Sequence, residues 1–257
     1  MKVSIIIPVY NEFRTFPQVL ERVQNAPLPE GCSREIIVVD DGSTDGTTEM
    51  LRQFSQAGIV SVHYSASNSG KGMAVRKGIS LASGGVIVIQ DGDLEYDPRD
   101  YARLLEPIIS GDADIVYGSR FLSRSTLAAA TGMALMNRIA NRILTIAANL
   151  LYGARITDEA TAYKAFRAPV LNGLRLNCKR FEFCPEVTAK VRRLGYRIHE
   201  VPISYNARGI AEGKKIRFHH GFDALWTLLK YRFVPRSKIV RKEVAQGAGA
   251  LGNNSPP

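Results

Sequence analysis

Short apolar runs rich in β-branched residues alternate with segments of helical spacing through the first half of this chain. The runs are Val3 to Val9, Glu35 to Val39, Val60 to Tyr64, Val86 to Ile89 and Ala113 to Tyr117. Runs of this length and composition, bounded by polar residues, read as buried strands. Between them, Phe13 to Asn25, a segment from Thr44-Asp45 to about Phe54, and Gly72 to Ala82 have helical spacing. Thr44-Asp45 is expected to cap its helix. Pro98 is expected near the N-terminus of the next one, where proline is tolerated. Parallel strands need long crossovers, commonly helices. The alternation therefore predicts an α/β fold with a mainly parallel central sheet covered by helices on both faces. Ligands of such sheets bind beyond the carboxyl ends of the strands.

Those ends carry the polar clusters. They are Tyr10-Asn11-Glu12, Asp40-Asp41-Gly42-Ser43, Asn68 with Lys71, Asp91-Gly92-Asp93 and Gly118-Ser119-Arg120. So many polar loops at one sheet edge exceed what solvation alone requires. Asp91 and Asp93 offer oxygen ligands to a hard divalent cation, Mg²⁺ or Mn²⁺, with Gly92 allowing close backbone approach. Such a cation commonly holds a diphosphate. The alternative for this tripeptide is a solvated turn.

The 257 residues carry a net charge of +10, which favours an anionic partner. The excess lies in the second half, in Arg192-Arg193, Lys214-Lys215-Ile216-Arg217 and Lys230-Tyr231-Arg232. Nucleic acid is not the expected partner, because only Tyr231 and Phe233 interleave with a basic run. A dinucleotide dehydrogenase is excluded, since no Gly-x-Gly-x-x-Gly follows the first strand. Cys32, Cys178 and Cys184 match neither a zinc spacing nor a disulfide framework. Met1-Lys2-Val3-Ser4 runs straight into a strand, so no signal peptide is expected. No charge-free apolar stretch is long enough to span a membrane.

Four segments together resemble a known family. They are Ile5 to Glu12, Val38 to Thr47, Asn68-Ser69-Gly70-Lys71-Gly72 and Asp91-Gly92-Asp93. In this order and spacing they are similar to family 2 inverting glycosyltransferases of the GT-A nucleotide-sugar-binding fold. The resemblance covers roughly residues 1 to 235. Gly118-Ser119-Arg120-Phe121 and Thr157 to Arg167 resemble the dolichyl-phosphate mannose and glucose synthase branch. The resemblance implies a nucleotide-sugar site built from Pro8, Tyr10, Glu12, Asp40, Lys71 and Asp91. Asp40 would accept a base N–H and Tyr10 would pack on the base, while turn and cap duty is the other reading of Asp40. Glu12 would lie near the ribose. Lys71 would meet a phosphate as a point charge, or is a surface lysine. Asp91, Asp93 and Glu95 are the implied metal ligands. Arg120 resembles the acceptor-phosphate arginine of the branch, and Arg138 is a second, weaker match. Arg138 and Arg142 also read as helix-surface residues. Asp158 resembles the acidic residue near the acceptor, where it would orient Lys164 or an arginine, or act as a base. Tyr205 to Lys215 resembles the mobile loop that closes over the diphosphate through an arginine and a lysine, here Arg208 and Lys214. Asp91, Asp93, Arg208 and Asp158 are thus the expected catalytic set. Thr161-Ala162-Tyr163 stands where the branch often has Ser-Gly-Phe, which puts sugar or acceptor preference in doubt.

The acceptor decides the function. A hydroxyl acceptor needs a general base. A phosphate is already anionic and needs cations to hold it. Arg120, Arg138 and Arg142 beside an apolar helix at 131 to 152 suit a polyprenyl or dolichyl phosphate. The expected reaction is metal-dependent, inverting transfer of mannose or glucose from a GDP- or UDP-sugar to that lipid. Transfer to a saccharide hydroxyl and a non-catalytic nucleotide-binding scaffold are the alternatives. Phe222 to Phe233 either lies in a membrane interface, anchored by Trp226 and Lys230, or packs as a final core helix. The expected location is cytoplasmic, peripheral to a membrane surface or on a membrane partner. One catalytic domain is expected over 1–235, with a nucleotide-sugar half to about 120 and an acceptor half beyond. A basic, disordered tail is expected over 236–257.

Overall fold

The apolar run of β1 (Lys2–Val9) is buried because it sits inside a seven-stranded sheet ordered β3-β2-β1-β4-β6-β5-β7. The computed structural model describes residues 1–122, 135–207 and 219–241. The other strands are β2 (Ser33–Asp40), β3 (Ser61–Tyr64), β4 (Val86–Ile89), β5 (Ile115–Ser119), β6 (Lys164–Arg167) and β7 (His199–Pro202). Helices α1 (Phe16–Asn25), α2 (Thr47–Gln56), α3 (Lys71–Leu81) and α4 (Tyr101–Ile109) make the expected crossovers. Further along lie α5 (Leu135–Tyr152), α6 (Ala168–Gly173), α7 (Phe183–Arg193) and α8 (His219–Phe233). Helix α2 begins one turn position later than expected. Gly46 is its N-cap, and Asp45 Oδ1 accepts the Thr47 N–H at 3.1 Å.

β1 pairs in parallel with β2 and β4, β2 with β3, and β5 with β7. The departure from the βαβ reading is β6, which runs antiparallel between β4 and β5. Its register sets Lys164 opposite both Ile89 and Tyr117. The chain entering β6 therefore arrives at the edge where β4 and β5 exit.

One apolar cluster lies under α1, α2 and α4, and a second under α3, α6 and α7. A third joins Leu144 and Ala148 of α5 to Ala189 of α7 and Ala224, Leu228 and Tyr231 of α8. The outer sides of α5 and α8 are apolar as well. Ile139, Ile143, Ile146 and Leu150 of α5 are exposed at steps of three and four residues, one stripe of a 3.6-residue helix. Phe222, Trp226, Leu229 and Phe233 repeat the pattern on α8. No helix among the described residues is long and apolar enough to cross a membrane.

The domain runs past the expected boundary at 235. Ile239 is fully buried in the second cluster, Val240 bridges Leu174, and the Arg241 N–H donates to the Gly173 carbonyl at 2.9 Å. One apolar side chain at 239 holds a segment that composition assigned to the tail. The remainder of that tail, 242–257, lies outside the described residues.

Candidate active site

The exits of β1, β2 and β4 build the first wall. Asp41 is buried and holds the neighbouring loop: its Oδ1 accepts the Ser69 N–H at 2.9 Å and its Oδ2 the Gly70 N–H at 2.7 Å. Asp40, also buried, accepts the Ser43 N–H at 3.0 Å and the Thr48 hydroxyl at 2.5 Å. Turn duty thus occupies part of Asp40, and an ionised carboxylate keeps further acceptor sites. Tyr10 is half-buried beside it. The Glu12 N–H donates to Thr47 Oγ1 at 3.0 Å, and its carboxylate accepts the Thr15 hydroxyl. Pro8 lies beyond Ile6, the last β1 residue that β4 pairs, so β1 has a strand partner on one side only there.

Gly70 brings Lys71 in. Its backbone, at φ 98° and ψ 154°, lies in a region essentially reserved for glycine. A Cβ there would stand 2.5 Å from the Lys179 carbonyl oxygen. Lys71, the next residue, forms an ion pair with Asp91. Asp91 charge overcomes the effect of burial and raises the Lys71 pKa. Asp93 Oδ1 accepts the Glu95 N–H at 3.1 Å, and Glu95 Oε2 accepts the Tyr205 hydroxyl at 3.0 Å. Among the described residues, no three His, Cys, Asp or Glu side chains gather as a metal cage. Asp91 and Asp93 nevertheless fit Mg²⁺ or Mn²⁺, because such ions bind through one or two carboxylates together with substrate phosphates and water.

The entry to β6 and the exit of β5 build the second wall. Arg120 and Asp158, both buried, form a bidentate pair: Nε to Oδ2 at 2.7 Å and Nη2 to Oδ1 at 2.8 Å. The Arg120 guanidinium also lies 4.9 Å from the Tyr205 ring centroid. Asn141 of α5 donates to Asp158 Oδ1 at 2.9 Å. Burial alone would raise the Asp158 pKa. The Arg120 charge and these hydrogen bonds outweigh it and hold the carboxyl below its ordinary value. A carboxylate so engaged is a poor proton acceptor, and its bidentate grip holds the Arg120 guanidinium in place. Lys164 is turned elsewhere, donating to the Glu159 carbonyl at 3.1 Å.

Both walls face one cavity. Lys71, Asp91, Glu95 and Arg120 line its polar part. Ala140 and Leu144 of α5, Phe181, Phe183, and Gly221 and Ala224 of α8 line an apolar flank. Arg138 does not join this wall. The α5 residues that do are Asn137, Ala140, Asn141 and Leu144, and the helical period turns Arg138 and exposed Arg142 off that face. Arg208 and Lys214 lie outside the described residues. Sequence reasoning missed Asn141, Glu159, Arg180 and Cys184, all of which line the cavity. The signals available were Asn137 and Asn141, one helical turn apart among apolar residues, and a second acid directly after Asp158.

Residues 4–174 match the Glycosyl transferase family 2 profile. The chain belongs to glycosyl transferase family 2. It is 33% identical over 226 residues to the undecaprenyl-phosphate mannosyltransferase of Micrococcus luteus, covering 83% of this chain and 87% of that protein. To the dolichol-phosphate mannosyltransferase of Pyrococcus furiosus it is 32% identical over 222 residues, covering 83% of this chain and 59% of that protein. This family 2 chain thus spans about three-fifths of the archaeal relative. Glucosyl-3-phosphoglycerate synthase from Mycobacterium tuberculosis, solved with UDP, superposes with a TM-score of 0.68 at 21% identity, covering 91% of this chain and 81% of that one. That likeness shows the GT-A fold.

Proposed function

We propose that this family 2 chain transfers a hexose, mannose or glucose, from a GDP- or UDP-sugar to a polyprenyl phosphate with inversion at the anomeric carbon. One observation carries the reading: a single cavity joins the Asp91–Lys71 end to buried Arg120 and then to an apolar flank between α5 and α8. The curated relatives named as prenyl-phosphate mannosyltransferases support it.

Tyr10, Glu12 and Asp40 take the nucleoside. Lys71 lies where it would meet the diphosphate. A divalent ion held by Asp91 and Asp93, with Glu95 at its margin, supplies charge neutralisation to the departing diphosphate. Relatives in fold are crystallised with Mn²⁺ and a UDP-sugar. Arg208 and Lys214 are assigned to the same diphosphate. Arg120 spends two hydrogen bonds on Asp158 and keeps further N–H donors for the acceptor phosphate. That phosphate is anionic near neutral pH, so no residue has to remove a proton from it. Its prenyl chain leaves along Ala140, Leu144 and Ala224. Arg138 and Arg142, off the cavity wall, suit lipid headgroups at a membrane surface, and peripheral binding at the cytoplasmic face accords with the apolar stripes of α5 and α8.

The test is transfer of radiolabel from GDP-mannose or UDP-glucose to undecaprenyl or dolichyl phosphate. An organic-phase product that disappears with EDTA and returns with Mn²⁺ or Mg²⁺ is expected. Label that moves only to water-soluble acceptors would overturn the lipid assignment.

A further inference from the structure

Glu159 is fully buried, and neither carboxyl oxygen makes a hydrogen bond of normal length: the Thr188 hydroxyl bears on it but is paired with the Tyr117 hydroxyl at 2.9 Å. Native buried polar groups are nearly always partnered, so such a group needs a reason. The nearest cation in the same segment does not supply one. Lys164 Nζ donates to the Glu159 backbone carbonyl at 3.1 Å and lies 3.5 Å from the Tyr117 ring centroid. The Glu159 N–H is fixed on Thr145 Oγ1 at 3.1 Å, so the segment has no slack to turn the side chain to solvent. Yet Glu159 lines the cavity that also holds Lys71, Asp91 and Arg120.

We propose that Glu159 reads a hydroxyl of the transferred sugar and thereby helps to set which sugar the site accepts. This rests on the function proposed above. Within that reading, three chemical parts enter the cavity. The diphosphate carries no hydrogen to donate. The prenyl chain carries no polar hydrogen at all, and its passage is walled by Ala140, Leu144 and Ala224. The sugar, which must lie between Asp91 and Arg120, is rich in hydroxyl donors, the one thing an unpartnered carboxyl lacks. A site built to hydrogen-bond a hydroxyl discriminates strongly against the analogue that lacks it. Burial raises the Glu159 pKa to about 8 against the pull of Lys164 and of the Thr188 hydroxyl, so near neutrality the group can also donate to a sugar oxygen. The carboxyl makes no covalent change in the reaction. It is a specificity residue.

The test is calorimetric binding to the full chain with Mn²⁺, using GDP-mannose, UDP-glucose, their monodeoxy analogues, and GDP and UDP alone. Glu159→Leu is expected to weaken the preferred sugar nucleotide tenfold or more while leaving the bare diphosphate as in wild type. One monodeoxy analogue should bind wild type and the Leu variant equally. Glu159→Gln, which keeps an acceptor oxygen and the shape, should recover part of the loss. It also serves if the Leu variant does not fold. Equal loss for sugar nucleotide and bare diphosphate, or no loss for either, would overturn the proposal. A wild-type chain that binds sugar nucleotides as expected but makes no lipid product overturns the acceptor assignment and leaves the Glu159 result standing.

Discussion

Asp158 and Glu159 are adjacent in the chain and both fully buried, yet their carboxyls end on opposite sides of their ordinary pKa values. Asp158 faces the Arg120 guanidinium and is held below its ordinary pKa. Glu159 faces no guanidinium, neither carboxyl oxygen makes a hydrogen bond of normal length, and burial outweighs the pull of Lys164 and the Thr188 hydroxyl to raise it to about 8. The contrast follows from geometry. Asp158 meets the arginine, whereas Glu159 begins the turn that follows and lines the cavity. Removing an ion from water is costly, and only a matched partner offsets that cost.

Glu159 gives the chain a stability profile of definite sign. Its folded pKa of about 8 lies above the ordinary value of about 4.3, so the folded state holds the proton more tightly. That contribution is complete below about pH 4 and is lost as the pH climbs through 8. Glu159→Gln does not titrate. Without ligand, the melting temperature of wild type should therefore fall relative to Glu159→Gln between about pH 5 and 8. Parallel curves would show that the carboxyl is paired and ionised throughout. Lys164, Asp158 and Glu200 are the charged groups that bear on it, and the first opposes the shift.

Arg120 is expected to be sensitive to geometry as well as charge. Lysine keeps the charge but loses the planar fork that bonds both oxygens of Asp158. Arg120→Lys should raise the KM for polyprenyl phosphate about tenfold or more, consistent with the loss of a charge-assisted hydrogen bond. Donor affinity should stay near wild type. Asp158→Ala should be worse for the fold, lowering stability by about 3 kcal/mol, because it strands a buried guanidinium. Steady-state kinetics with each substrate varied, and urea unfolding, read the two effects. A donor-side KM defect for Arg120→Lys would argue against its acceptor role.

Much of this was legible from the residues. The strand runs and the polar loops after them located the sheet edge, because β-branched runs and Asp/Gly exits are local signals. Arg120 with Asp158 was harder, since the two are far apart in sequence and meet only because β6 reverses direction. A four-residue strand such as β6 looks the same whichever way its neighbours run. The place of Arg138 was hard to read for a related reason. Composition places an arginine on the right helix, but only the packing of α5 on α8 decides that Asn137, Ala140, Asn141 and Leu144 face the cavity.

Gly70 sets the position of Lys71 through backbone alone. Alanine there meets both an unfavourable φ of 98° and the Lys179 carbonyl at 2.5 Å. Gly70→Ala should cost about 1–3 kcal/mol for the backbone conformation, more if Lys179 cannot move. It should also raise the KM for the sugar nucleotide, since Lys71 would leave Asp91. Chemical denaturation and donor-dependent kinetics check the two parts. Unaltered stability would mean that the 69–71 loop adopts another course.

Trp226 is the chain's one tryptophan and lies on the exposed apolar stripe of α8, so its fluorescence reports that face without labelling. An apolar stripe flanked by Lys230 and Arg232, both exposed, matches the interface between headgroups and acyl chains of an anionic bilayer. Vesicles containing anionic phospholipid should shift the Trp226 emission to the blue, and neutral vesicles should do so less. Phe222→Ser together with Phe233→Ser should weaken vesicle co-sedimentation about tenfold or more. Each exposed aromatic contributes of the order of 1–2 kcal/mol when it leaves water. Turnover of a short-chain, water-soluble prenyl phosphate should persist in that double variant, because neither residue lines the cavity. If emission stays unchanged at every lipid composition, the stripes of α5 and α8 face a protein instead of a bilayer.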